Sequence, residues 1–297
     1  MGPIGLIDGK IIDLGEKVLE IEDRGYQFGD GVYEVTRVYN RRPFALNWHF
    51  ERLHRSLCEL RIPNPYTFEE LTKFHDQLIE TSGIGEASVY LQITRGVAPR
   101  AHIFPDQVVP RLTMTIQPVK PTDDLRASGA TGIFVPDERW LRCDIKSINL
   151  LPNVLAKQRA TEAGAYEAIQ VRDGWVTEGS TTNFFVVKDG VLHTHPANHL
   201  ILRGISRRVL VERIAPRLGL KVVEEPFHVA FAKGADEAFL SATVTEIMPM
   251  VSLDGVRIAN GKPGPVARRL IEAFHALIAE ECGVKNQLQA ASLKRQA

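Results

Sequence analysis

Hydrophobic and polar residues alternate with two different periods in the first third of the chain. Apolar residues occupy every second position at residues 89–93 and again at 112–116, which predicts two half-buried strands. Residues 32–39 are rich in β-branched and aromatic side chains and predict a third strand. Between these strands, apolar residues recur at helical spacing near residues 50–60 and 68–78. The pattern predicts an α/β domain at this end of the chain.

A short stretch with two prolines interrupts the periodicity. Residues 118–124 are mostly polar or proline, and we interpret them as an interdomain linker. The small N-terminal α/β domain is then expected over residues 1–117, and a larger C-terminal domain over residues 125–297. In the larger domain the patterns predict strands near 131–136, 168–171, 183–187 and 237–241, and helices near 154–163, 205–218 and 266–281.

Charge and composition argue against several classes of protein. The 36 basic residues equal the 36 acidic ones, so nothing favours a nucleic-acid or anionic-membrane partner. No apolar run approaches the roughly 20 residues of a membrane span, and the first residues lack the pattern of a signal peptide. The three cysteines show no metal-ligand spacing. We therefore expect a cytoplasmic protein without a metal site.

Lys146 is unusual because the apolar residues Ile145, Ile148, Leu150 and Leu151 surround it in the sequence. Most lysines are solvated surface residues. A lysine in apolar surroundings is less stable as the ammonium, so its pKa falls and the amine can act as a nucleophile or a base. The residues alone leave both interpretations open.

Five blocks together resemble one enzyme family. Cys143–Asn149 and Glu178–Asn183 are similar to the signature pair of the fold-type-IV, or class IV, aminotransferases, which use pyridoxal 5'-phosphate (PLP). Asp23–Glu34, Thr94–Pro105 and Thr194–Asn198 resemble the D-amino acid aminotransferases within that family. The blocks follow the order of the family. The resemblance implies a two-domain mixed α/β fold with the active site between the domains.

The resemblance assigns two central roles. It implies that Lys146 is the catalytic lysine, which forms a Schiff base with the cofactor and moves a proton. It also implies that Glu178 lies opposite the pyridine nitrogen, where a carboxylate favours the protonated ring. Without the resemblance, Glu178 would be interpreted as a carboxylate in a turn.

The phosphate of the cofactor requires backbone N–H groups, hydroxyls and an arginine. Residues 203–207 open a predicted helix, in which Gly204 permits close approach, although a capped helix start has the same pattern. The resemblance implies a cofactor-binding set: Arg52, Leu202, Gly204, Ile205, Ser206 and Thr243. Leu202 would pack against the cofactor ring, and the others would hold the phosphate.

The chain departs from the family pattern at two places. Ala242 stands where close relatives have a hydroxyl, so one cofactor contact could be absent. Thr181 and Thr182 replace a pair of serines and keep both hydroxyls. Thr182 is included among the expected substrate-binding residues.

Arg100 and His102 lie two residues apart, so both could flank one ligand in an extended loop. A guanidinium binds a carboxylate through two hydrogen bonds, and an imidazole can add a third contact. Outside this context, such a pair is usually part of an exposed loop. The resemblance implies that Arg100, His102 and Tyr33 bind the substrate carboxylate, with the first two supplied by the other subunit of a homodimer.

We therefore expect PLP-dependent transfer of an amino group between D-amino acids and 2-oxo acids. One alternative is an L-branched-chain aminotransferase on the same fold, against which the Arg100 and His102 pair argues. Another is a PLP lyase resembling the aminodeoxychorismate lyases. A non-catalytic binding protein is the alternative from another class, and the presence of Lys146 and Glu178 argues against it.

Overall fold

The structure is a computed structural model, and it describes residues 4–107 and 109–284. The chain forms two compact units. The first contains the described residues up to Lys120 together with Ile145–Leu150. The second contains Pro121–Asp144 and the described residues from Leu151 to residue 284. The segment that carries Lys146 therefore belongs to the first unit, although it follows the predicted linker in the sequence.

The first unit contains a six-stranded antiparallel sheet with the strand order β2-β1-β6-β5-β3-β4. Its strands are β1 (Ile4–Ile7), β2 (Lys10–Asp13), β3 (Gly31–Tyr39), β4 (Arg42–Pro43), β5 (Ala87–Thr94) and β6 (Arg111–Pro118). The three strands predicted in this region are confirmed as β3, β5 and β6. The hairpin of β1 and β2 was not predicted.

Three helices belong to the same unit: α1 (Arg24–Phe28), α2 (Leu46–Glu59) and α3 (Phe68–Ser82). The two helices predicted from apolar spacing are confirmed as α2 and α3. The side chain of Thr67 caps α3 reciprocally with Glu70, and Gly83 ends it in a left-handed conformation. The apolar faces of α2 and α3 and the inward positions of the sheet form one core, which includes Leu6, Val32, Phe50, Leu53, Leu57, Leu71, Leu78, Leu91 and Met114.

The predicted linker contains more regular structure than expected. Strand β6 continues through Pro118, and helix α4 (Asp123–Ser128) begins before the predicted linker ends. Arg126 of α4 is buried and donates hydrogen bonds to the carbonyl of Ile247 and the carboxylate of Glu246. The domain limits at residues 117 and 125 remain a prediction.

The second unit contains a nine-stranded mixed sheet with the main order β12-β11-β10-β13-β14-β7-β8-β9, and β15 pairs with β14. Its strands are β7 (Ala130–Pro136), β8 (Glu167–Arg172), β9 (Trp175–Gly179), β10 (Asn183–Lys188), β11 (Val191–Thr194), β12 (Val222–Glu224), β13 (Glu237–Ala242), β14 (Glu246–Leu253) and β15 (Val256–Arg257). The four strands predicted here are confirmed as β7, β8, β10 and β13.

The helices of the second unit include α5 (Leu151–Glu162), α6 (Ile205–Val209), α7 (Ala215–Arg217), α8 (Val229–Lys233) and α9 (Pro265–Cys282). The predictions near 154–163 and 266–281 are confirmed as α5 and α9. The single helix predicted over 205–218 is wrong in detail, because a π-helical turn, Leu210–Ile214, separates α6 from α7. Pro216 cannot donate the hydrogen bond to Glu212 that a continuous α-helix requires, which explains the wider turn.

Strands β10, β13 and β14 form the centre of the second unit. Phe185 and Phe239 lie opposite each other in the register and stack with ring centroids 4.9 Å apart. Asn183, at the start of β10, pairs with Ser241, near the end of β13. The buried centre of the sheet therefore fixes the positions of two polar residues, Asn183 and Ser241, at the ends of central strands.

No helix among the described residues is long and apolar enough to cross a membrane. In the same part of the chain, no cluster of His, Cys, Asp and Glu side chains has the arrangement of a metal site.

Candidate active site

Lys146 is held against the start of β3 by backbone hydrogen bonds. The amide of Tyr33 donates to the carbonyl of Lys146 at 3.0 Å, and the amide of Ile148 donates to the carbonyl of Gly31 at 3.1 Å. The amide of Lys146 donates to the hydroxyl of Ser56 on α2 at 3.3 Å. The segment thus pairs with β3 like a short additional strand, which fixes the backbone of Lys146.

The side chain of Lys146 is half-buried and lies over an aromatic ring. Its Nζ is 4.1 Å from the centroid of the Tyr33 ring. Tyr33 in turn stacks on Tyr90 with ring centroids 5.6 Å apart. The structure therefore brings together two residues that the sequence assigned to the site, Lys146 and Tyr33.

Arg52 lies in a buried cluster next to this segment. Its Nε and one terminal nitrogen donate to the two oxygens of Glu34 at 2.7 and 2.8 Å, and His49 Nδ1 donates to Glu34 at 2.7 Å. Burial alone would raise the pKa of Glu34, but Arg52 and then His49 lower it to about 2. Burial also lowers the pKa of His49. Glu34 is therefore ionised, and its bidentate pairing sets the orientation of the Arg52 guanidinium.

Glu178 is the centre of a separate cluster in the second unit. Its buried carboxylate accepts hydrogen bonds from Arg139, from Asn183 Nδ2 at 2.8 Å and from the amide of Leu202 at 3.0 Å. Burial raises the pKa of Glu178, whereas Arg139 and the Leu202 amide oppose this shift. The carboxylate is held in one orientation by donors from three separate segments.

Arg139 is itself fixed by further acceptors. Asp137 accepts from its Nε at 2.9 Å and from a terminal nitrogen at 2.8 Å, and the carbonyl of Leu200 accepts at 3.1 Å. Burial would raise the pKa of Asp137, but Arg139 and then Arg172 lower it to about 2. The cluster therefore contains an arginine between two carboxylates. Arg139 and Asp137 were not predicted, because no motif or periodicity distinguishes them in the sequence.

Asn183 connects Glu178 to the turn at residues 203–207 that is predicted to bind the cofactor phosphate, here called the phosphate turn. Its Nδ2 donates to Glu178 and also to the carbonyl of Leu202 at 2.8 Å. Gly204 is the N-cap of α6 and lies against the same side chain, because a Cβ built on it would overlap Oδ1 of Asn183. The sequence indicated the position of Asn183 as the end of the Glu178–Asn183 block, but not this role.

The residues of the second unit fit a phosphate-bearing cofactor. The first turn of an α-helix leaves backbone N–H groups without intrahelical acceptors, and in α6 these include Ile205 and Ser206. The buried hydroxyl of Ser241, near the end of β13, has no hydrogen-bond partner among the described residues. Thr243 lies half-buried after β13. Such a set of donors suits a dianion, although the individual contacts remain predictions.

The three hydroxyls that follow Glu178 all donate to one buried carboxylate. Glu167 accepts from Ser180, from Thr181 at 3.0 Å and from Thr182 at 3.2 Å, and also from the amide of Ala168 at 2.9 Å. The Thr182 hydroxyl thus has an internal partner in this structure, and its substrate contact remains a prediction. Glu167 fixes the turn between β9 and β10, which carry Glu178 and Asn183.

Arg100 and His102 lie in an exposed loop of the first unit. The Arg100 guanidinium carbon is 4.8 Å from the centroid of the Phe28 ring, and the His102 ring is 5.6 Å from it. In the described part of the chain, no hydrogen bond, ion pair or ring contact joins either residue to Tyr33. Within a single described chain, Arg100 and His102 therefore do not contact Tyr33, the third predicted carboxylate-binding residue.

Comparison with known proteins identifies the family. The family model described as amino-transferase class IV matches residues 31–253, which is more than half of the chain. The chain belongs to the class IV aminotransferases, the PLP-dependent family predicted from the sequence.

Two curated relatives and one solved structure illustrate the similarity. The chain is 45% identical over 274 residues to a D-alanine aminotransferase of Staphylococcus haemolyticus, covering 92% of this chain and 96% of the relative. It is 43% identical over 281 residues to a D-alanine aminotransferase of Listeria monocytogenes, covering 94% and 97%. The branched-chain amino acid aminotransferase of Escherichia coli matches with a TM-score of 0.85 and 26% identity, covering 95% and 96%.

Replacement of Gly204 by alanine tests the contact between Asn183 and the phosphate turn. The new Cβ would overlap Oδ1 of Asn183 and displace the donor of Glu178. Overpacking of this kind costs about 1–3 kcal/mol, so we expect PLP to bind roughly 5- to 160-fold more weakly. Equilibrium titration of the apoenzyme with PLP measures this change. The control Gly15→Ala adds a methyl group in open space and should leave the affinity unchanged. Equal affinities for Gly204→Ala and the parent would show that the contact is unimportant.

Because Glu34 is ionised in the folded protein, the free energy of unfolding should fall as the pH becomes acidic. Its pKa is about 2 in the folded protein, below the usual 4.5, so its stabilising effect is present above pH 4.5 and is lost as the pH falls toward 2. Urea unfolding between pH 7 and pH 3 should show a loss, of a few kcal/mol at most, that Glu34→Gln reduces. Replacement of the exposed Glu272 by glutamine is the control. The same pH dependence in the parent and in Glu34→Gln would contradict the assignment.

Proposed function

We propose that this protein transfers the amino group between D-amino acids, of the D-alanine, D-glutamate and D-aspartate class, and 2-oxo acids such as 2-oxoglutarate. The observation that carries the proposal is the 45% and 43% identity to two D-alanine aminotransferases over more than nine tenths of the chain. The buried carboxylates, the fixed backbone of Lys146 and the turn at residues 203–207 support the use of PLP, and the identity to the D-alanine enzymes supports the substrate class.

PLP, when bound, acts as an electron sink that stabilises negative charge at the substrate Cα. We propose that Glu178 holds the pyridine nitrogen in its protonated state. Three N–H donors hold the carboxylate of Glu178 in place, so it needs no rearrangement to accept a fourth donor. Arg52, Ile205, Ser206 and Thr243 would hold the phosphate, and Leu202 would pack against the ring.

Lys146 is the proposed proton carrier. Its Nζ would take the proton from the substrate Cα and would then deliver it to C4′ of the cofactor. Such a role needs a lysine whose backbone is fixed, and the hydrogen bonds with Tyr33 and Ser56 provide this. The nearby ring of Tyr33 restricts the positions of the side chain.

Binding of the substrate carboxylate would determine the stereochemistry. Fixing the α-carboxylate leaves the hydrogen and the side chain to occupy the remaining two directions at Cα. We propose that Arg100, His102 and Tyr33 fix it so that a D-amino acid presents its hydrogen to Lys146. Arg100 supports this role because, within the described residues, its guanidinium makes no hydrogen bond or ion pair and its N–H donors remain for a ligand.

The proposed carboxylate site requires two copies of the chain. Arg100 and His102 make no ring contact, hydrogen bond or ion pair with Tyr33 in the described part of one chain. We propose a homodimer in which each subunit supplies Arg100 and His102 to the active site of its partner, as the family resemblance implies. We further propose a cytoplasmic location, which Cys58 and Cys143 support because neither forms a disulfide among the described residues.

The L-branched-chain aminotransferases are the main alternative, because the E. coli enzyme of this type shares the fold. Its sequence identity of 26% is much lower than that of the D-alanine enzymes. A PLP lyase is a second alternative on the same scaffold. A panel of D- and L-amino acids with 2-oxoglutarate separates the D-amino acid aminotransferase from the L-branched-chain aminotransferase. Pyruvate formed without an amino acceptor would indicate the lyase.

Chemical labelling tests the role of Lys146. The purified protein should be yellow, and borohydride reduction followed by peptide mapping should leave the pyridoxyl group on Lys146. Lys146→Ala should retain weak PLP binding through the phosphate site but lose transamination, because positioned acid–base catalysis alone contributes about 10²–10⁴-fold. A pyridoxyl group on a different lysine would contradict the assignment.

Substitution of Arg100 tests the substrate class. The parent should use D-alanine and D-glutamate with a 2-oxo acid and should use their L-forms poorly. A charge-assisted hydrogen-bond pair contributes about 1.5–3 kcal/mol, so Arg100→Ala should reduce kcat/KM roughly 10- to 200-fold, and His102→Ala should reduce it less. Arg159→Ala, which removes an exposed arginine of α5, is the control. Rapid turnover of L-leucine that does not depend on Arg100 would favour the branched-chain alternative instead.

A further inference from the structure

The loop that carries Arg100 and His102 is attached to a buried arginine. Arg24 of α1 is 3% exposed, and its Nη1 donates to the carbonyl of Ala101 at 2.6 Å. This carbonyl lies between the two proposed carboxylate-binding residues in the sequence. A charged donor at this point restrains the loop backbone more strongly than a neutral one would.

Arg24 is held in place from its other side. Its Nε donates to Asp30 at 2.9 Å, and Asp30 also accepts from Nε of Arg95 at 2.8 Å. Arg95 donates in addition to the carbonyls of Leu60 and Arg61, at 2.8 and 3.0 Å, immediately after α2. The loop is therefore connected through two buried arginines and one carboxylate to the backbone immediately after α2.

Phe28 orients the side chains of the same loop. Arg24 and Phe28 are four residues apart on α1 and lie on one face of the helix. The guanidinium carbons of Arg24 and Arg100 are each 4.8 Å from the Phe28 ring centroid, and the His102 ring is 5.6 Å from it. Stacking on the ring restricts the Arg100 plane while its N–H edges stay available for a planar carboxylate.

We propose that Arg24 and Phe28 are positioning residues for the α-carboxylate of the substrate, acting through Arg100 and His102. The inference rests on the proposed function, and it adds two residues that determine the affinity for substrate. Amino acid and 2-oxo acid carry the same carboxylate, so a change at either residue should weaken both substrates. Cofactor binding should be unaffected, because in the described part of the chain no hydrogen bond or ring contact joins either residue to a proposed cofactor-binding residue.

Two substitutions test the inference in the PLP-loaded enzyme. Arg24→Met keeps an unbranched apolar stem but removes the bond to the Ala101 carbonyl, and should raise KM for D-alanine and 2-oxoglutarate about 10-fold. Phe28→Leu removes the stacking surface and should raise both KM values about 3- to 10-fold. Neither should change kcat or the dissociation constant of PLP more than about twofold.

Coupling to Arg100 separates positioning from a general loss of structure. In a background with Arg100→Ala and His102→Ala, the same two substitutions should change KM less than about twofold, because the groups that they position are absent. An equal factor in both backgrounds would overturn the proposal. If Arg24→Met does not fold, Phe28→Leu decides the question by the same criterion.

A control in the same loop and a binding readout complete the experiment. Phe104→Leu removes a ring that stacks on Arg95, but Arg95 keeps its bonds to Asp30 and to two carbonyls, so both KM values should stay within about twofold.

Calorimetric binding of 2-oxoglutarate to the PLP-loaded enzyme measures the coupling without turnover. A parent without transaminase activity would contradict the proposed function. A parent that is active, or that binds 2-oxoglutarate, but shows no coupling between Arg24 or Phe28 and Arg100 would contradict only this inference.

Discussion

An ionised carboxylate in a protein interior is stable only when hydrogen-bond donors compensate for the water that it loses. Donors from three places oppose the rise that burial causes in the pKa of Glu178: Arg139 after β7, Asn183 at the start of β10 and the Leu202 amide before α6. Because the donors are distant in sequence, the second unit must fold before the carboxylate is compensated. One buried charge thus determines how the ends of the strands and the turn before α6 are arranged.

The same rule applies to two other buried carboxylates. Glu34 is compensated by Arg52 and His49, and Glu167 by the three hydroxyls that follow Glu178. In each case a carboxylate positions a residue or a turn that the family resemblance connects with the cofactor. The apolar cores hold the strands, and the buried carboxylates hold the side chains at their ends.

Periodicity predicted the strands and helices with regular apolar patterns, such as β5 and α3. It could not predict that the Lys146 segment pairs with β3, because strand pairing over more than 100 residues leaves no signal in either segment alone. Glu34 shares one face of β3 with Val32 and Thr36, both buried, but the sequence does not show which face of this strand is inward. Arg139 could not be predicted either, because two of its partners, Glu178 and the carbonyl of Leu200, lie about 40 and 60 residues further along the chain.

Replacement of Glu178 by glutamine tests the central claim most directly, because it removes the charge and nearly keeps the shape. We expect Glu178→Gln to remain folded and to slow the half-reaction with D-alanine by orders of magnitude in single-turnover measurements. Glu237→Gln is the matched control, since Glu237 is also buried and caps the first amides of α9. A Glu178→Gln rate within about twofold of the parent, or less than ~0.5 kcal/mol of barrier, would contradict the account.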